Sequence, residues 1–194
     1  MLRDFFVSKV RVKLLKYFFS RPQGMFYGRQ LSRQINEQIN AVRRELNNLK
    51  KTGLLKSEER SNRIYFFLNE KYFLYDDLLA IVLKTTGLGA AMRKNISRLG
   101  KIQWVFFSSR FARNLSVSKE NKEAIDIFVV GEVILPELSA LIAAEEKKRR
   151  REINYSVMDK SEFLFRYQGK DPFLWQILIA SRFTIWGSGK GLLD

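Results

Sequence analysis

The chain of 194 residues contains no cysteine and no histidine. The first absence excludes a disulfide framework. Together they exclude zinc sites of the Cys/His type and nucleophilic machinery of the Cys-His or Ser-His-Asp kind. An enzyme built from this sequence would have to work with carboxylates, on magnesium, or with Lys, Ser or Tyr. Long apolar runs are missing too: none approaches the roughly 20 residues of a membrane-spanning helix, and the N-terminus lacks the layout of a signal peptide. These absences point to the cytoplasm, away from a membrane, and leave no metal and no cofactor expected.

What is present in excess is positive charge. Lys and Arg number 35 against 20 Asp and Glu, giving a net charge of +15 and a pI near 10.1. Such an excess calls for a polyanionic partner. It is uneven, about +10 before residue 76 and about +5 after it. With 46% hydrophobic residues, the chain can bury a core and has room for two small domains.

Residues 26 to 68 carry the densest pattern. Phe26, Leu31 and Ile35 share one side of a first helix, leaving Tyr27, Arg29, Arg33 and Gln34 to water or a ligand. A short turn leads to a second helix, with Asn36 as its expected N-cap and Ile39, Val42, Leu46 and Leu49 at steps of three or four. Asn40, Arg43, Arg44 and Asn47 share an adjacent face. Arg binds guanine and Asn binds adenine in two-point fashion, each good pair discriminating by roughly 1–3 kcal/mol, so these residue types fit base readout. Lys50 and Lys51 occupy the last turn, where cations favour the helix dipole, and Gly53 stands where a left-handed cap is wanted.

Residues 54–58 and 63–68 then read as two strands around Glu59-Arg60-Ser61-Asn62, with Ile64, Phe66 and Leu68 alternating. Arg60 and Arg63 stand with Asn62 at the tip, within reach of phosphates. Helix, polar face, glycine stop and basic hairpin agree with one another on DNA contact. The expected split puts Asn40, Arg43, Arg44 and Asn47 on bases and Arg29, Lys50, Arg60 and Arg63 on the backbone, with Tyr27 beside them. The plainer alternative is a solvated surface hairpin.

Ser8-Lys9-Val10-Arg11-Val12-Lys13-Leu14-Leu15, Phe26-Tyr27-Gly28-Arg29-Gln30-Leu31, and Ala41-Val42-Arg43-Arg44-Glu45-Leu46 through Lys51-Thr52-Gly53-Leu54-Leu55 resemble the winged helix-turn-helix of ArsR-like transcriptional regulators. The resemblance covers about the first 85 residues and implies a dimeric DNA-binding repressor or regulator. Metal-sensing relatives use Cys and His ligands, and this chain has neither.

Leu74, Leu78, Leu79, Val82 and Leu83 have helical spacing that ends at Gly87, as in a helix that closes a first domain (1–86) or pairs two subunits. Residues 87–100 read as a basic amphipathic linker helix. A second domain follows over 101–194. Its strands are expected over 102–107, 125–130, 153–158 and 183–186, and its helices over 136–146, 161–166 and 172–180. The expected class is α+β: an N-terminal winged helix-turn-helix followed by a small mixed-sheet domain.

In that second half, Val105-Phe106-Phe107-Ser108-Ser109-Arg110-Phe111-Ala112-Arg113-Asn114 and Ala124-Ile125-Asp126-Ile127-Phe128-Val129-Val130-Gly131 resemble two tracts of the minimal nucleotidyltransferase domain. The first is a strand, a Gly-Ser turn and an Ala-Arg-Gly tract; the second is Ser-Asp-x-Asp entering a strand that ends in Val-Val-Gly. Glu152-Ile153-Asn154 and Lys170-Asp171-Pro172-Phe173-Leu174 resemble the closing strand and helix, so the likeness spans roughly residues 101 to 190.

The departures decide what this likeness implies. Nucleotidyl transfer needs two close carboxylates for magnesium and a Gly-Ser turn whose backbone approaches the phosphates. Here Ala124 stands at the first Asp and leaves Asp126 alone, Ser108 replaces the turn glycine, and Asn154 stands where many active members have a third carboxylate. Losing such parts together costs orders of magnitude in rate, so a catalytically dead domain is expected. Ser108, Ser109, Arg110 and Arg113 keep donors beside Asp126 for a nucleotide or another anion acting as effector. Alternatively the sheet is a scaffold or dimer surface, and Asp126 a surface or capping carboxylate.

Two further runs are weaker signals. Gly187-Ser188-Gly189-Lys190-Gly191 has the composition of a phosphate loop but lacks its spacing and its following helix, so a flexible tail is expected. Lys147-Lys148-Arg149-Arg150-Arg151 is either a nucleic-acid patch or a helix end matched to the dipole. Together the residues describe a sequence-specific transcriptional regulator, a repressor that binds double-stranded DNA as a homodimer, with a degenerate domain for a nucleotide effector or for dimerisation. The competing class is an active magnesium-dependent nucleotidyltransferase targeted by its winged helix. A third is the structural partner of a toxin or another protein. Replacing Arg43 is expected to relax specificity, and replacing Arg60 to weaken binding to all sequences alike.

Overall fold

The computed structural model describes residues 7–115 and 124–188. Gly189, Lys190 and Gly191 of the terminal run therefore lie outside the described residues. The chain is α+β and divides into two compact units between Thr85 and Thr86. Among the described residues no helix is long and apolar enough to cross a membrane.

The first unit opens with α1 (Lys9–Phe19), whose N-terminus is capped by Ser8 Oγ accepting from the Arg11 N–H at 3.2 Å. Next come β1 (Phe26–Tyr27), α2 (Gly28–Ile35), α3 (Ile39–Lys51), the hairpin β2 (Leu55–Arg60) and β3 (Arg63–Leu68), and α4 (Tyr75–Thr85). The apolar spacing is borne out in burial: Leu31, Val42 and Leu46 are fully buried, and Ile35 and Leu49 nearly so. They meet Leu14, Leu15 and Phe18 of α1 in a core that holds the two middle helices rigidly beneath their polar faces.

Three local expectations change. Phe26 and Tyr27 are strand, paired antiparallel with Phe66 and Tyr65, because β3 offers an open edge just where α2 has yet to start. Asn36 ends α2 and does not begin α3. It adopts φ 48°, its N–H returns to the Arg33 carbonyl, and Lys13 Nζ donates to the Ile35 carbonyl at 2.8 Å. Asn tolerates this left-handed conformation better than most residues. The hairpin turn is Ser61-Asn62 alone, both with positive φ, so Arg60 and Arg63 face each other as the last ladder pair. Gly53, at φ 85°, does follow α3 in the left-handed region.

The second unit is a sheet of order β6-β5-β4-β7. Its strands are β4 (Gly100–Ser108), β5 (Ile127–Val133), β6 (Tyr155–Met158) and β7 (Arg182–Gly187). β4 pairs antiparallel with β5 and β7, while β5 and β6 run parallel through the crossover helix α7 (Leu135–Arg149). Gly131 in β5 has φ 140°, and a Cβ there would collide with the Lys101 carbonyl, so only glycine fits this ladder. α8 (Lys160–Gln168) and α9 (Pro172–Ile179) cover one face through Trp104, Phe106, Phe128, Met158, Phe163, Leu174 and Ile177.

The expected linker helix is shorter, α5 (Gly87–Lys94), and contacts α7 and β7 within this second unit. Asn95 ends it by turning its side-chain amide back to the Ala91 carbonyl at 2.8 Å. A single-turn helix, α6 (Ser109–Ala112), follows β4 and was not expected. Ser108 Oγ caps it by accepting from the Phe111 N–H at 3.3 Å.

Candidate nucleic-acid interface

On α3, burial of Val42, Leu46 and Leu49 turns Asn40, Arg43, Arg44 and Asn47 outward, and all four are exposed. Lys50 is exposed on the same helix. Glu45, buried on the opposite side, is bonded by Arg11 Nε of α1 at 2.9 Å. Lys13 of α1 meets Glu37 in the interhelical turn at 2.7 Å, with Lys9 at 3.6 Å. The hydrogen bond from Lys13 and the charges of both lysines hold the Glu37 carboxyl below its ordinary range. α1 is thus tied both to the turn that precedes α3 and to the middle of α3 itself. Sequence pattern could not show this, because the pairs join residues 24 to 34 positions apart.

A cleft of about 660 Å³ lies between the start of α2, the outer face of α3 and the hairpin. Tyr27, Arg29, Arg43, Asn47, Asn62 and Arg63 line it, and among the described residues no acidic one does. Arg33, assigned from sequence to water or a ligand, also reaches it. The Arg63 guanidinium stands 4.8 Å over the Tyr27 ring, which meets Tyr65 edge-on at 5.6 Å. That stack holds a cation beside the turn of the hairpin without neutralising it. Asn40, Arg44 and Lys50 are exposed but do not line the cleft. Arg60 behaves differently again: both its Nε and Nη2 donate to Glu58, at 2.8 and 3.0 Å, so its charge is answered within the hairpin.

The residues picked out in the second unit also come together, yet mostly onto one another. Asp126 is only 1% exposed, so it is neither a surface nor a solvent-facing capping carboxylate. Arg110 Nη2 donates to its Oδ1 at 2.7 Å, the Asn154 N–H donates to Oδ2 at 3.2 Å, and Arg151 Nη2 stands 3.8 Å away. Arg110 Nη2 also reaches the Ala124 carbonyl at 2.8 Å, and Arg113 Nε donates to Ser109 Oγ at 3.1 Å. Among the described residues no group of three or more acidic side chains is placed to hold a metal ion.

The basic run at the end of α7 is split by the fold. Arg149 pairs with Glu145 at 2.8 Å and lies 4.0 Å over the Phe111 ring. Arg151 donates to the Leu115 carbonyl at 2.9 Å, and burial lowers its pKa. Lys147, Lys148 and Arg150 remain exposed.

No protein-family model and no curated protein matches the chain. Among solved structures it is similar to reduced HlyU from Vibrio cholerae N16961, at 15% identity and a TM-score of 0.33, over 42% of this chain and 77% of that one. It is also similar to a protein described as a possible transcriptional regulator from Methanosarcina mazei Go1, at 11% identity and a TM-score of 0.32, over 48% of this chain and 79% of that one.

Proposed function

We propose that the protein is a cytoplasmic, sequence-specific DNA-binding transcriptional regulator acting as a repressor. The observation that carries this reading is the acid-free cleft, in which Arg29, Arg33, Arg43 and Arg63 converge beside the exposed polar face of α3. The order of helix, turn, helix and hairpin supports a winged helix-turn-helix that lays α3 in the major groove and braces the hairpin on the backbone. Arg43 and Asn47 read bases, Arg29 and Arg63 take phosphates, and Asn40 and Arg44 continue the readout along the groove. Leu74 and Ile81 leave apolar surface exposed at α4, which supports pairing of two subunits there.

The second domain is read as a degenerate nucleotidyltransferase-like unit for effector binding or dimerisation. The mixed sheet and the strand-turn-helix at Ser108 support the likeness, and Asp126 supports the loss of chemistry. Its carboxylate is buried and bonded to a guanidinium, so it is not free to ligate magnesium. A magnesium-dependent nucleotide incorporation assay is expected to give no product.

The test is selection from a random-sequence duplex pool at two salt concentrations. Enrichment of a palindromic site supports a dimeric regulator and yields its operator. Steeply salt-dependent binding without enrichment would mean that the basic face grips phosphates alone, which would defeat the proposal.

A further inference from the structure

The DNA contact leaves unused a second cleft, of about 500 Å³, in the second unit. Its polar end is formed by Ser108 and Ser109 where β4 runs into α6, and by Arg182, which faces Ser108 in the β4/β7 register. Its apolar wall is Phe106 of the sheet with Phe173 and Ile177 of α9. Ser108 Oγ accepts from the Phe111 N–H and Ser109 Oγ from Arg113, so each hydroxyl keeps its own proton to donate.

Arg182 is the unusual member. Its guanidinium lies 5.4 and 5.5 Å over the Trp104 and Phe106 rings, and its Nη1 donates to the carbonyls of Leu178 and Ala180. Desolvation by the rings lowers its pKa from the ordinary arginine range, while the residue as a whole stays exposed. The other cation of the cleft, Arg110, already has Asp126 at 2.7 Å. Among the described residues no acidic side chain lines the cleft to hold a divalent cation. Arg182 is thus a solvent-accessible cation beside an apolar wall, with no carboxylate among the described residues of the lining.

We propose that this cleft binds a small organic anion with a flat apolar body, its charged head on Arg182 and the two serines and its body against Phe106, Phe173 and Ile177, without a metal ion. The inference rests on the effector-binding reading of the second domain and names the ligand class. An aromatic acid satisfies both halves of the cleft. Inorganic phosphate has no body to bury, and a magnesium-bound triphosphate finds no carboxylate for its metal among the described lining residues.

The test titrates the full chain by calorimetry with 2-naphthoate, with its uncharged counterpart 2-naphthalenemethanol, and with ATP plus magnesium. Naphthoate is expected to bind saturably, unchanged by EDTA, and about tenfold more tightly than the neutral compound. Arg182→Gln should erase that difference. Phe173→Ala, a change at a 40% exposed position that leaves the fold intact, should weaken both aromatic ligands alike. Equal binding of charged and neutral compounds, or wild-type naphthoate affinity in Arg182→Gln, overturns the inference. Tight binding of ATP with magnesium and none of naphthoate also overturns it, while leaving the effector reading in place. If none of the three binds, the inference fails, and a DNA affinity indifferent to nucleotide would then remove the effector reading as well.

Discussion

Two clusters of arginine, one in each unit, serve opposite purposes. In the first, Arg29, Arg33, Arg43 and Arg63 gather around an open cleft with no carboxylate among the described residues of its lining. In the second, Arg110, Arg149 and Arg151 turn inward onto Asp126, Glu145 and the Phe111 ring. Net charge alone does not separate these cases, since both regions are rich in arginine and both carry acids nearby. Pairing separates them: a guanidinium bonded to a buried carboxylate stabilises its own fold, whereas one held by an aromatic ring keeps its charge for a partner.

The comparison breaks most sharply at Asp126. Asp126→Ala should strand Arg110 without its buried counter-charge and lower the stability of the second unit by roughly 3–5 kcal/mol, read by urea unfolding. Arg43→Ala, at an exposed position, should leave the unfolding curve within about 0.5 kcal/mol of the parent. If Asp126→Ala unfolds like the parent, the inward cluster has been misjudged as structural.

The next largest effect concerns specificity. Arg43→Ala should narrow the gap between operator and random duplex by roughly 1–3 kcal/mol, measured by competition binding. Arg63→Ala should weaken both duplexes alike and reduce the salt slope by about one. Equal consequences for the two substitutions would erase the division between base and backbone contacts.

A smaller effect sharpens the same contrast inside the hairpin. Because Glu58 answers the charge of Arg60, Arg60→Ala should change the salt slope far less than Arg63→Ala. Glu58→Gln should steepen it by about one as Arg60 is released. The smallest effect is on pH dependence. Glu37 titrates below its ordinary range in the folded chain, so its pairing with Lys13 and Lys9 is fully present at neutral pH and is lost as pH falls through that lowered value. Glu37→Gln should therefore flatten the acid limb of the stability profile of the first unit. An unchanged limb would place its acid sensitivity elsewhere.

Much of the fold was legible from periodicity. Val42, Leu46 and Leu49 follow from a helical repeat, and Phe66 and Leu68 from the alternation of a strand, because burial imposes those spacings directly; Ile64, expected to alternate with them, is 49% exposed beside the turn and lines the cleft. Asn36 was misassigned because asparagine suits both the start of a helix and the left-handed residue that ends one. What decided the case was Lys13, a residue of α1 that bonds the Ile35 carbonyl. The turn at Ser61-Asn62 was drawn too wide since Glu59 and Arg60 look like loop residues until their pairing with Ile64 and Arg63 extends the ladder.

The site was legible by composition and only partly by geometry. Tyr27, Arg29, Arg43, Asn47, Asn62 and Arg63 do share one cleft. That Arg60 is tied to Glu58, that Arg33 belongs with the group, and that Arg110 locks Asp126 all depend on side-chain placement. Spacing along the chain carries no signal for contacts of that kind.

The most direct test of the account is the salt dependence of DNA binding for the parent and for a variant carrying Arg29→Gln, Arg43→Gln and Arg63→Gln together. The slope of affinity against salt should fall by roughly two as the cleft loses the phosphate contacts of Arg29 and Arg63, and the preference for operator should fall with Arg43. An unchanged slope would contradict the central claim and place the DNA-binding surface elsewhere on the chain.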